Sequence, residues 1–163
     1  MALSRDFYPE RIFGPARALD YAALYAEGLR GVIFDIDNTL VPQDMPADEG
    51  IPAFFEQVKA AGFTVCIVSN NEEPRVKQFA DSAGVPYVFH AQKPSAKGFM
   101  EAMALLGTAK GETVCIGDQI FTDILGANRA GIRTILTEPV DLASDTFFIR
   151  LKRVFEKPFC KIK

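Results

Sequence analysis

Asp35 and Asp37 stand two residues apart in Asp35-Ile36-Asp37-Asn38-Thr39, directly after the apolar run Gly31-Val32-Ile33-Phe34. A carboxylate held at the end of a buried strand can attack phosphorus and form an aspartyl-phosphate, which splits hydrolysis into two easier steps. A second acid two residues on can protonate the leaving oxygen and then activate water. Other polar groups also follow apolar runs: Ser69-Asn70-Asn71, then Lys93-Pro94, then Gly117-Asp118-Gln119 with Asp123 just beyond. Asp35 therefore reads as a nucleophile and Asp37 as an acid/base. Lys93 supplies positive charge to the phosphoryl oxygens and the nucleophile. Ser69 and the amides after it, Asn70 included, read as hydrogen-bond donors to the same group.

Carboxylates repel a phosphate dianion, and a hard, oxygen-seeking cation removes that obstacle. Mg²⁺, bound by one or a few carboxylates and by phosphate oxygens, is the expected ion. Asp35 and Asp118 are its natural side-chain ligands, and Asp123 is a further or water-mediated one. Simpler roles compete at some positions. Asp123 can cap a following helix, and Ser69 and Asn70 can be turn residues. Lys97 rivals Lys93 but falls where a helix is expected. His90, the single histidine, reads as a strand-end residue without catalytic duty. Arg75 and Arg129 read as exposed helix arginines without a part in the site.

Five elements must bring these groups together. Gly31–Phe34, Thr64–Val68, Pro86–Phe89, Thr113–Ile116 and Thr134–Leu136 are near-continuous apolar runs, which implies strands covered on both faces of a parallel sheet. Helical spacing separates them: Ile51, Phe54, Phe55 and Val58; Val76, Phe79 and Ala80; Phe99, Met103 and Leu106; and about Asp123 to Ala130. The alternation predicts a doubly wound α/β fold with five core strands and helices on both faces. In such a fold, functional groups collect at the carboxyl ends of the strands. A single domain is expected, with residues 1–30 as a helical lead-in, 31–139 as the core and 140–163 as a tail. Leu19, Ala23 and Leu24 are the lead-in's candidate packing residues.

Asp35-x-Asp37-x-Thr39, Ser69, Lys93-Pro94 and Gly117-Asp118-x-x-x-x-Asp123 resemble, in order, the four motifs of the haloacid dehalogenase (HAD) superfamily. More narrowly, the chain is similar to the YqeG family of subclass IIIA phosphatases, through Phe34 to Val41, Val68-Ser69-Asn70-Asn71, Lys93-Pro94 and the stretch from Gly117 to Arg129. The resemblance implies the same roles for Asp35, Asp37, Ser69, Lys93, Asp118 and Asp123, and adds the main-chain carbonyl of Asp37 as a metal ligand. It also implies a lipid phosphate, phosphatidylglycerophosphate, as a candidate substrate. Residues 38–68 between the first two motifs hold only a loop and a helix, and residues 70–92 between the next two only a helix and a strand. No cap domain fits in either place, so the expected site is open to a large or surface-held substrate.

The remaining composition narrows the class. Eighteen Lys and Arg against 21 Asp and Glu argue against a nucleic-acid partner. Cys66, Cys115 and Cys160 lack metal-ligand spacing and suit a reducing cytosol. No apolar stretch reaches a membrane span, so a cytoplasmic protein is expected, with peripheral contact at the inner membrane face as a further expectation. That contact rests on the tail, where Phe147, Leu151, Val154 and Phe155 share helical spacing with Arg150, Arg153 and Lys157 along another face. Packing on the chain's own domain, or on a homodimer mate, competes with it. A phosphate-sensing or scaffold protein with an intact site is the alternative from outside the enzymes.

Overall fold

A computed structural model of the chain describes residues 4–162. Six parallel strands form one sheet: β1 (Arg11–Ile12), β2 (Gly31–Phe34), β3 (Thr64–Val68), β4 (Tyr87–Val88), β5 (Thr113–Gly117) and β6 (Arg133–Leu136). Their order is β1-β6-β5-β2-β3-β4. Among the described residues, six α-helices accompany them: α1 (Tyr21–Ala26), α2 (Gly50–Ala60), α3 (Glu73–Ala83), α4 (Lys97–Leu106), α5 (Leu125–Ala130) and α6 (Phe147–Glu156). The five expected strands are all present, and the lead-in adds the sixth, β1, at the edge beside β6. Two residues with one outward apolar side chain leave no periodicity to read.

The central strands are buried on both faces, and their side chains alternate between two cores. Val32, Phe34, Val65, Ile67, Val114 and Ile116 pack toward α2, α3 and α1. Ile33, Cys66, Val68 and Cys115 pack toward α4 and α5. Continuous apolarity is thus two period-two patterns superposed. Phe34, Phe54, Phe55, Tyr21 and Phe63 form an edge-to-face aromatic cluster under α2, each ring contributing on the order of 1.5–3 kcal/mol by burial. In the lead-in, Tyr21 and Leu24 are the buried residues of α1, whereas Ala23, expected to pack, is exposed.

Strand β2 connects to β3 on one side of the sheet, and the chain later returns to β5 on the other. That reversal opens a crevice at the carboxyl ends of β2 and β5. Only α2 lies between β2 and β3, and only α3 and β4 precede Lys93, so no second layer covers the crevice from these segments. Between β5 and α5 the chain makes a π-helical turn, Ile120–Ile124. Such turns recur at functional sites.

Helix α6 seats on this turn. The carboxylate of Glu156 accepts a hydrogen bond from the Phe121 amide at 2.8 Å. Burial pushes the Glu156 carboxyl up to about 7. Because its folded value exceeds its unfolded one, its stabilisation is fully present below about 4.5 and is lost as pH rises through about 7. Glu156→Gln keeps the acceptor and removes the charge. We expect the variant to be more stable than the parent by on the order of 2 kcal/mol at pH 8, and equal to it below pH 4.5, in urea melts across that range. A parent that matches the variant at pH 8 would refute this.

Candidate active site

Asp35 follows β2 and sits at the floor of a cleft of about 170 Å³ lined also by Asp37, Ser69, Asn70, Lys93 and, from α6, Ile149 and Lys152. Lys93 Nζ lies 2.8 Å from Asp35 Oδ1 and 2.7 Å from Asp123 Oδ1, and donates to the Val68 carbonyl at 3.1 Å. Its ammonium is almost wholly buried. Burial lowers the basicity of this ammonium, but Asp123 and Asp35 more than reverse that, so Lys93 stays charged. Burial, and then the neighbouring charge of Asp123, push the Asp35 carboxyl well above the carboxylate range in spite of Lys93.

Asp118 follows β5. Burial and Asp123 raise it to about 6, against the guanidinium of Arg153. Thr39 Oγ1 reaches Asp118 Oδ1 at 3.1 Å and Asp35 Oδ2 at 3.5 Å. Each of these two acids thus has one oxygen held by a cation and the other turned toward Thr39. Asp123 differs. Its Oδ1 pairs with Lys93 and its Oδ2 accepts from the Gln119 amide at 3.2 Å, so both oxygens are engaged. Gly117 permits this approach: a Cβ there would lie 2.5 Å from the Asp123 side chain. Oxygens of Asp35, Asp118 and Asp123 lie within 4.8 Å of one another, the hard all-oxygen set that Mg²⁺ takes. Asp35 and Asp118 fit as direct ligands, whereas Asp123 is better placed to hold Lys93.

Asp37 also lines the cleft, with both oxygens occupied. Oδ1 accepts from Arg75 at 2.7 Å and from the Asp44 amide at 2.8 Å, and Oδ2 accepts from Asn71 at 2.5 Å. Arg75 is therefore no exposed helix arginine; it lies half-buried in the first turn of α3, where it reaches back to the strand end. Its position just after Ser69-Asn70-Asn71 was the available signal. Ser69 is buried, and its Oγ accepts from the Asn71 amide at 3.1 Å, which leaves the hydroxyl proton for a ligand. The Asn70 side chain is spent on the main chain of Lys93, donating to its carbonyl at 3.2 Å and accepting from its amide at 2.7 Å. These two bonds position the lysine.

The other cations resolve plainly. Lys97 is exposed, away from the cleft, and Arg129 donates to the Pro94 carbonyl at 3.3 Å. His90 pairs with Glu72 on the surface at 2.7 Å. The largest surprise is Arg153, expected on a solvated basic face. It turns inward and joins Asp118 Oδ2 and Asp145 Oδ2, both at 2.5 Å. Asp145 in turn accepts from Asn38 at 2.6 Å. Asn38 is fully buried at φ 57°, a left-handed conformation that asparagine tolerates better than most residues. A chain of contacts from Asn38 through Asp145 and Arg153 to Asp118 thus ties α6 to both acid-bearing loops.

Comparison with known proteins follows the same lines. The HAD-hydrolase-like family matches residues 90–139. A Bacillus subtilis (strain 168) protein named "Probable phosphatase YqeG" is 40% identical over 156 residues, covering 95% of this chain and 90% of its own length. Phosphatidylglycerophosphate phosphatase 1 of Arabidopsis thaliana is 30% identical over 89% of this chain and 44% of its own. The cobalt-bound deoxy-D-mannose-octulosonate 8-phosphate phosphatase of Haemophilus influenzae superposes with a TM-score of 0.56 at 14% identity, covering 82% of this chain and 77% of that one. At that identity the likeness concerns the fold alone.

Proposed function

The chain belongs to the YqeG family of HAD-type phosphatases, and from that premise we propose that it hydrolyses phosphomonoesters through an aspartyl-phosphate on Asp35, with Mg²⁺ as cofactor. The observation that carries the reading is the buried Asp35–Lys93–Asp123 triad, with Lys93 within 2.8 Å of both acids, at the floor of a cleft that Asp37 also lines. A phosphoryl group entering the cleft meets Lys93, the Ser69 hydroxyl and the amides after it. The Asp35 carboxylate attacks phosphorus and the ester bond breaks. The leaving oxygen takes a proton from Asp37, which then takes one from the water that cleaves the acyl phosphate and frees Asp35. Arg75 and Asn71 fix Asp37 in the reach of that oxygen. Asp35, Asp118 and the Asp37 carbonyl would hold a Mg²⁺ ion, which would supply the positive charge that lets a carboxylate approach a phosphate dianion.

Cleft size supports a substrate held mostly outside the cleft. Ligand pockets usually span roughly 300–1,000 Å³, and a cleft of 170 Å³ holds little beyond the phosphoryl end. The rest of the substrate lies outside, against the rim or a neighbouring surface. With the lipid phosphatase among the relatives, a lipid phosphate such as phosphatidylglycerophosphate fits best.

The test is a panel of phosphatidylglycerophosphate in detergent micelles beside sugar, nucleotide and protein phosphates and an aryl phosphate. The expected outcome is Mg²⁺-dependent release of phosphate, abolished by a chelator, with the lipid phosphate hydrolysed most efficiently. Release that persists unchanged in chelator would remove the metal, and no release from any ester would remove the enzyme reading.

A further inference from the structure

Helix α6 is docked the opposite way round from an ordinary surface helix. Successive residues turn by about 100°, so Phe147, Phe148, Leu151, Val154 and Phe155 share a face about 120° wide. Those five side chains are 72%, 78%, 45%, 55% and 63% exposed. The polar side faces the protein instead, through Arg153 and Glu156. A helix normally buries its apolar stripe, and a face of three phenylalanines, a leucine and a valine left toward solvent calls for an occupant.

Charge identifies that occupant. The acids of the segment, Asp145 and Glu156, are buried, whereas Arg150, Lys157 and Lys161 are exposed and Lys152 is half-exposed. By helical angle, Arg150 and Lys157 flank one edge of the apolar face and Lys152 the other. The chain as a whole carries a net charge of −3, so this flanked face is a local reversal of sign. A second copy seated face to face would bring these flanking cations against their own kind. A negatively charged bilayer matches both the apolar centre and the basic edges.

We infer that α6 seats the protein on an anionic bilayer surface, with its phenylalanine face in the interfacial layer and the mouth of the catalytic cleft at its edge. Ile149 and Lys152 of the same helix line that cleft. Arg153, joined to Asp118 and Asp145, holds the helix at a set position relative to the acids. The inference deepens the lipid-phosphate reading given above, since a headgroup at the surface would then lie beside Asp35 without leaving its membrane.

The experiment is vesicle flotation of the full chain with phosphatidylcholine alone and with equal parts phosphatidylglycerol, at about 0.1 M and about 1 M salt. Variants are Phe148→Ser with Leu151→Ser, and Lys157→Glu, with hydrolysis of a soluble aryl phosphate as the check that the fold is intact. We expect binding to the anionic vesicles only, weakened by high salt, and reduced roughly tenfold or more by the double variant and severalfold by Lys157→Glu, with aryl phosphate turnover unchanged. Absence of the parent from anionic vesicles would overturn the inference, as would binding that the double variant leaves intact. A parent dimer that ignores vesicles and that the double variant splits would assign the face to self-association instead. Failure of the substrate reading stays separate: a protein that floats but spares phosphatidylglycerophosphate in micelles keeps the docking surface and loses the lipid substrate, and the reverse result does the opposite.

Discussion

Asp35→Asn is expected to lose phosphatase activity by on the order of 10⁴-fold or more, while the protein unfolds at a temperature equal to or above that of the parent. The two halves of this result come from one environment. Asparagine keeps the size of the side chain and an oxygen for the Lys93 ammonium, which lies 2.8 Å away. It cannot form an acyl phosphate, so the covalent route closes. Burial and the charges of Asp123 and Asp118 oppose ionisation of Asp35 in the folded protein. Removing the charge therefore relieves the fold instead of straining it. Thermal melts in chelator, beside initial rates with an aryl phosphate and Mg²⁺, measure both. Substantial turnover by the variant would end the nucleophile assignment, and a large fall in melting temperature would show that Asp35 is chiefly structural.

Lys93→Met should produce the largest loss of stability of any single change at the site. The ammonium is 4% exposed and is the cation that lies between Asp35 and Asp123. Methionine fills the volume but leaves two buried carboxylates facing each other without the cation that joined them. Breaking a buried pair in this way costs about 3–5 kcal/mol, which lowers the melting temperature by roughly 10 °C for a chain of this size. The deficit should be greater at pH 8 than at pH 5, because burial already pushes the Asp35 carboxyl up and its protonation at low pH removes one of the two facing charges. Activity should fall with it, since the phosphoryl oxygens lose their nearest fixed positive charge. Denaturant midpoints at the two pH values give the test. A deficit under about 1 kcal/mol at pH 8 would mean that the Lys93 ammonium does not hold the two acids as a buried charged pair.

These expectations separate two kinds of residue. Asp35, Asp37, Ser69, Lys93, Asp118 and Asp123 could be picked out because each follows an apolar run, and a parallel sheet brings such positions to one edge. The same runs disclosed five of the six strands. Less legible was the work each side chain does there. The side chain of Asn70 clamps the main chain of Lys93. Arg75 looked like a solvated helix charge and instead holds Asp37. In both cases the deciding partner lies more than 20 residues away, at 93 and 37 respectively, and local periodicity carries no information about it.

The C-terminal helix marks the boundary most clearly. Its amphipathic spacing was readable, and membrane, partner and self stood as open alternatives for it. The usual expectation that an apolar stripe faces inward would have placed Phe148 and Leu151 in the core, yet they are 78% and 45% exposed. Ion pairing reverses the orientation: Arg153 meets Asp118 and Asp145, and Glu156 meets the Phe121 amide. Those contacts join residues 8 to 35 positions apart and exist only once β5, the π-helical turn and α6 are assembled. The sequence alone thus determined the α/β architecture and the set of strand-end acids and lysine, because hydrophobic continuity and chemical type are local properties. Tertiary structure decided which of those groups are shared, which are held and which way the last helix faces, because such pairings depend on distances that no local pattern encodes.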